Sequence, residues 1–154
     1  MGDARDRRYA TPRLRGAVTQ LLALEIAGAP ATAETLAAAS ARVLDTLSLG
    51  LARVVGPAGV RSILLRAVKL QKSQFAFLDE RIVPSDSRDS VAEPLRACLR
   101  EQEPAVIREV AVTLIATFAG LLANVIGDRL TWSLLQQIWP DTFAPRTERQ
   151  ETEE

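Results

Sequence analysis

The stretch VAVTLIATFAGLLANVIG, residues 110–127, contains eighteen residues and no charge, and it lies between Glu109 and Asp128. It is either the buried helix of a soluble bundle or a membrane segment. As a helix it spans roughly 27 Å, at about 1.5 Å per residue, just short of a hydrocarbon core of about 30 Å. Its nine Leu, Ile, Val and Phe residues favour insertion by roughly 3 to 5 kcal/mol before Asn124, the threonines and the glycines oppose it. Length and polar content therefore favour a buried core helix.

Small and polar residues recur along one face of this helix, which we call the seam. They follow one another at steps of four, three, four and three residues: Thr113, Thr117, Gly120, Asn124 and Gly127. Residues at these spacings share a helix face. Glycine lets another backbone come close there, and hydroxyl and amide groups hydrogen-bond across the contact. The sequence therefore predicts that another helix packs on the seam.

Helical periodicity continues through most of the chain, and proline and glycine divide it into pieces of helix length. Thr11 and Thr32 are the expected N-caps of the first two helices, and Gly56-Pro57 is expected to end the second. The third helix is expected over residues 58–78. The fourth is expected to begin at a capping box, residues 90–93, or at Pro94. The fifth should run from Pro104 to about residue 126, and the sixth over residues 129–139 with Asp128 as its cap.

The sequence thus predicts an all-α fold, a single-domain bundle of about six helices around the central apolar helix. A length of 154 residues, with 47% apolar and 25% charged residues, fits one folded domain. The bundle is expected to occupy residues 11–144. It follows a flexible Arg-rich N-terminal tail, residues 1–10, and precedes a disordered acidic C-terminal tail, residues 145–154.

The composition argues against several functional classes. The chain has no histidine and one cysteine, and its acidic residues are not paired at metal-ligand spacing. We therefore expect no catalysis, metal or cofactor, and the sequence points to no particular small-molecule ligand. Nineteen basic residues balance nineteen acidic ones, so the whole molecule has no net field to attract nucleic acid or anionic lipid.

The single cysteine, Cys98, lies on an apolar stripe with Leu95 and Leu99 and is expected to be buried and inert. One cysteine without a disulfide partner fits a reducing, cytoplasmic setting. Seventeen arginines against two lysines indicate a GC-rich, bacterial genome.

The third helix carries a candidate partner-binding face. Arg61, Arg66, Lys69 and Lys72 share one half of that helix, and we call them the basic face. Such a face predicts binding of an acidic protein or of an anionic headgroup layer. The alternative is a solvated face, or one that pairs with the acidic stretch of residues 79–109.

The sixth helix carries a candidate dimer interface. Trp132, Leu135 and Trp139 share one of its faces. Tryptophan is enriched at interface hot spots, and both subunits of a homodimer present the same patch. The alternative is that these side chains belong to the core.

These observations predict a non-catalytic protein-interaction or regulatory protein, a homodimeric adaptor of the cytoplasm. The first alternative is a membrane-active or peripheral membrane bundle that uses the basic helix of residues 58–78 and the uncharged helix of residues 110–127. A weaker alternative is non-specific nucleic-acid binding through the third helix and an N-terminal arginine cluster. That cluster, which otherwise forms a loose tail, comprises Arg5, Arg7, Arg8, Arg13 and Arg15.

Overall fold

The computed structural model describes residues 9–143, and within that range the fold is all-helical. It has five α-helices and a short 3-10 helix at Glu80–Ile82. The α-helices are α1 Pro12–Glu25, α2 Ala33–Gln71, α3 Ala92–Leu99, α4 Pro104–Ile126 and α5 Asp128–Ile138. The predicted C-terminal tail lies outside the described residues, as do residues 1–8 of the predicted N-terminal tail. Ala10, the last residue of the predicted N-terminal tail, is 3% exposed and belongs to the core.

The all-α class is confirmed, but the count of six helices is not: the described residues have five, since α2 runs for 39 residues through a kink at Gly56-Pro57. Gly56 leaves the helical conformation, with φ 78° and ψ 159°, and bends the helix there. Pro57 has no N–H to donate to a helical hydrogen bond. Directly after the bend, however, it occupies the first turn of the second half of α2, where the amides need no helical acceptor. Gly56-Pro57 therefore kinks α2 instead of ending it. The helix then ends at Gln71, short of the predicted residue 78.

The N-caps of the first two helices are confirmed. The Thr11 hydroxyl accepts a hydrogen bond from the Leu14 amide at 3.3 Å. Thr32 forms a capping box with Thr35, in which each side chain accepts from the backbone amide of the other residue. These bonds satisfy amides that the first turn of a helix leaves without a partner.

Two other predicted caps are wrong. α3 begins at Ala92 without a capping box: the Ser90 hydroxyl accepts from the Ala92 amide at 3.0 Å and not from Glu93, and it donates to Asp45 at 2.8 Å. Gly127, with φ 95°, is the N-cap of α5, and Asp128 is the first helical residue. The positive φ turns the chain sharply between α4 and α5, which explains why glycine is suited to that position.

The uncharged stretch lies in α4, where every residue from 110 to 122 is buried. This helix packs against α1, α2 and α5. Among the described residues, α4 and α2 are both long and apolar enough to cross a membrane. The most apolar eighteen-residue window of α4 is 72% buried, whereas that of α2 is 28% buried.

Candidate functional site

The buried part of the seam is covered by α1, the residues just before it, and the last turn of α2. The Thr113 hydroxyl accepts a hydrogen bond from Arg15 Nη1 at 2.9 Å, and Arg15 Nη2 lies 3.0 Å from a Glu109 carboxylate oxygen. The Thr117 hydroxyl accepts from Gln71 Nε2 at 3.0 Å, and both of these side chains are fully buried. Polar side chains from two other helices therefore meet the seam.

At Gly120 the neighbour is the backbone of Tyr9, a helical residue that precedes α1. A Cβ atom on Gly120 would lie 2.0 Å from the Tyr9 carbonyl oxygen and 2.8 Å from its Cα. No side chain fits at such distances, so this glycine is required for the close approach.

The rest of the seam faces an open groove. Asn124 and Gly127 are exposed and line a groove of about 690 Å³ together with Tyr9, Arg13 and Trp132. The Arg13 guanidinium lies 3.9 Å from the centroid of the Trp132 ring, which is a cation–π contact. Arg5, Arg7 and Arg8 of the N-terminal arginine cluster lie outside the described residues, whereas Arg13 and Arg15 both make contacts within the domain.

The tryptophan face of α5 is partly covered by the chain itself. Leu135 is 2% exposed, so it belongs to the core and is not accessible to a second subunit in this conformation. Trp132 and Trp139 are half-buried, and the Phe143 ring lies 5.6 and 6.1 Å from theirs, centroid to centroid. The contact of Phe143 with these tryptophans was not predictable from the sequence. Phe143 follows Pro140 and the end of the helix, so it belongs to no periodic pattern.

The structure divides the basic face into two pairs. Arg61 and Lys72 both contact the segment that follows α2: Arg61 Nε donates to the Pro84 carbonyl at 2.7 Å, and Lys72 Nζ lies 3.6 Å from a Glu80 carboxylate oxygen. Arg66 and Lys69 are exposed, and no carboxylate of residues 9–143 lies within 4.0 Å of either.

A cleft that the sequence did not predict lies at the bend of α2, and we call it the kink cleft. Its volume is about 310 Å³, and residues 83–91 cover it as a loop. Apolar side chains from both halves of α2 line it: Leu49, Ala52, Pro57, Val60 and Leu64. Five charged residues line it as well: Asp45, Asp86, Asp89, Arg61 and Arg88. Hydrogen bonds from the side chain and the backbone of Arg88 lower the pKa of Asp86, which therefore stays ionised.

Cys98 is half-buried, and its thiol lies 3.5 Å from the Phe77 carbonyl, to which it donates. Burial raises the pKa of this thiol and outweighs the hydrogen bond from the Asp79 backbone, which lowers it. A raised pKa reduces the thiolate fraction, which is the reactive form. The geometry therefore supplies no activated nucleophile here.

Within residues 9–143, no group of three His, Cys, Asp or Glu side chains could hold a metal ion.

Comparisons with known proteins identify no relative. No protein-family profile, no curated protein sequence and no solved structure matches the chain. Any function must therefore rest on the surfaces and the cleft described above.

Proposed function

We propose that this chain is a non-catalytic adaptor or regulatory protein of the cytoplasm, which binds an acidic protein partner through Arg66 and Lys69. The observation that carries the proposal is the exposure of these two cations without a carboxylate nearby in the described residues. Some cations of the described residues pair with acids: Arg15 with Glu109, Arg42 with Glu25, and Arg96 with Glu34 and Glu93. Exposed arginines without a carboxylate of these residues within 4.0 Å also occur elsewhere, at Arg53, Arg100, Arg108 and Arg129. Arg66 and Lys69 differ in lying three residues apart on one helix. The unpaired cations on α2 therefore form a positive surface that a partner can neutralise.

The position of these cations supports binding to a partner. Arg66 and Lys69 are three residues apart on one helix and so are neighbours on its surface. The opposite side of the same turns is buried through Leu64, Ala67 and Val68, and we propose that α4 is the central helix on which the bundle packs. Because this helix is held against the core, its backbone loses little conformational entropy on binding. Exposed charges contribute to the association rate and to specificity.

An acidic peptide tests this proposal. The probe is a fluorescein-labelled decaglutamate, and its fluorescence anisotropy with the full chain at low salt measures the affinity. In Arg66→Glu/Lys69→Glu we expect binding to weaken by about tenfold or more, because two attractions become repulsions. The control is Arg100→Glu/Arg108→Glu, which makes the same charge change at two other exposed arginines. An equal loss in the control, or no binding by the unaltered chain, would refute the proposal.

We also propose that the protein forms a homodimer through the exposed part of α5. Trp132 and Trp139 are half-buried, so part of each ring is accessible to a second subunit. The interface is smaller than the sequence predicted, since Leu135 is buried. Sedimentation equilibrium at high micromolar concentration should show dimers, and a strict monomer there would rule out this part of the proposal.

A membrane-active bundle is the second candidate, because α2 and α4 are both long and apolar enough to cross a bilayer. In this function the basic half of α2 lies on anionic lipid and α4 inserts. Insertion requires α4 to leave its contacts with α1, α2 and α5. Flotation with phosphatidylserine vesicles at low salt is the measurement. This candidate predicts that the protein floats with the vesicles, and protein that stays at the bottom of the gradient excludes it.

A further inference from the structure

The kink cleft has the form of a prepared binding site. Gly56 takes the chain out of the helix, and the two halves of α2 then supply apolar side chains to one cavity. Leu49 and Ala52 come from the first half, and Val60 and Leu64 come from the second. The volume of about 310 Å³ lies at the lower end of the range for small-molecule sites, which is about 300 to 1,000 Å³.

Two hydrogen bonds hold the covering loop in place, one to each half of α2. On one side Arg61 Nε donates to the Pro84 carbonyl at 2.7 Å. On the other side the Ser90 hydroxyl donates to Asp45 at 2.8 Å and accepts from the Ala92 amide at 3.0 Å. The loop is thus fixed at both of its ends, and the cleft lies beneath it. The cavity is part of the folded domain and not a gap under a loose loop.

The charges around the cleft indicate the class of ligand. Three carboxylates and two guanidiniums line it. Arg88 pairs with Asp86 at 3.1 Å, and Arg61 is engaged with the Pro84 carbonyl. Asp89 is exposed and interacts electrostatically with Arg88, but no cation of residues 9–143 lies within 4.0 Å of its carboxylate. The lining therefore has one carboxylate more than it has guanidiniums, beside an apolar floor.

We propose that the kink cleft binds a small amphipathic cation, an apolar ring or chain that carries one amine. The apolar part occupies the floor between Leu49 and Leu64, and the amine is attracted by the surplus negative charge at Asp89. Leu49 supports this assignment, because it is 66% exposed although it is apolar. A ligand would remove part of that side chain from water, which is favourable. This site is independent of the acidic partner proposed for Arg66 and Lys69.

Three probes with the same apolar body and different charge test the proposal on the full chain. They are 4-phenylbutylamine, 4-phenylbutanol and 4-phenylbutyrate, each titrated into isotope-labelled protein and followed by amide chemical shifts. The amine should cause saturable shifts at Leu49, Ala52, Val60 and the covering loop. It should bind about threefold more tightly than the alcohol, as expected for one exposed ion pair, and the acid should bind least tightly. The proposal is overturned if no probe shifts these residues, or if the acid binds as tightly as the amine.

Two substitutions at exposed positions separate the parts of the site without disturbing the fold. Asp89→Asn should reduce the affinity for the amine to that for the alcohol, whereas the matched control Glu101→Gln should leave both affinities unchanged. Leu49→Lys places a cation at the cleft and should abolish binding of the amine. Undiminished binding of the amine by either Asp89→Asn or Leu49→Lys would contradict the assignment.

Discussion

Gly120→Ala should lower the free energy of unfolding by about 3 kcal/mol, although alanine favours a helix over glycine by about 1 kcal/mol. The added Cβ would lie 2.0 Å from the Tyr9 carbonyl oxygen and 2.5 Å from its carbonyl carbon. These are backbone atoms, which a change of rotamer cannot move. The segment around Tyr9 and Ala10 must therefore leave the surface of α4, and the burial of Ala10 is lost.

Urea denaturation followed by far-UV circular dichroism measures this effect. Gly16→Ala is the matched control, because Gly16 lies within α1 and nothing would lie within 4 Å of its added Cβ. The control should be neutral or more stable by up to about 1 kcal/mol. A Gly120→Ala variant as stable as the unaltered chain would show that Tyr9 does not contact α4 in this way.

Gly56→Ala should destabilise the protein by about 1 to 3 kcal/mol for a different reason, which is conformational. Nothing lies within 4 Å of the added Cβ, but the backbone has φ 78° and ψ 159°, a region that only glycine adopts readily. Relief of this strain requires residue 56 to move to a negative φ, which changes the angle between the two halves of α2. The two hydrogen bonds that hold the covering loop to both halves of α2 then cannot both persist.

Denaturation gives the stability of Gly56→Ala, and amide hydrogen exchange of the covering loop, residues 83–91, reports on the kink cleft. We expect lower stability together with faster exchange in this loop, while α4 retains its protection. Gly16→Ala again serves as the control, since it adds the same methyl group at a helical glycine without a positive φ. Unchanged stability and unchanged exchange would mean that the bend does not depend on glycine.

The sequence was sufficient to predict the buried stretch of α4 and the caps at Thr11 and Thr32, because these features depend on nearby residues. Eighteen residues without a charge can be recognised directly, and a threonine cap acts within one turn. The continuation of α2 through Gly56-Pro57 was not predictable in this way. Glycine followed by proline is a local signal for the end of a helix, but burial of Leu51 before the bend and Val60 after it keeps both halves on the same core.

The basic face and the kink cleft were predictable only in part, because contacts between distant parts of the chain determine them. Helical periodicity correctly places Arg66 and Lys69 on the surface. It could not show that Arg61 contacts Pro84 or that Lys72 contacts Glu80, because these partners belong to the next segment of the chain. The kink cleft depends on hydrogen bonds between residues 23 and 45 positions apart, and no short sequence pattern encodes those distances.

We propose that the exposed cations of α2 form the surface that binds an acidic partner. The most direct test is the chemical-shift footprint of the decaglutamate peptide on the full, isotope-labelled chain at low salt. We expect shifts centred on residues 62–73, around Arg66 and Lys69, and we expect these shifts to be absent in Arg66→Glu/Lys69→Glu. A footprint centred on α5 or on Arg13 and Arg15, with residues 62–73 unchanged, would contradict it.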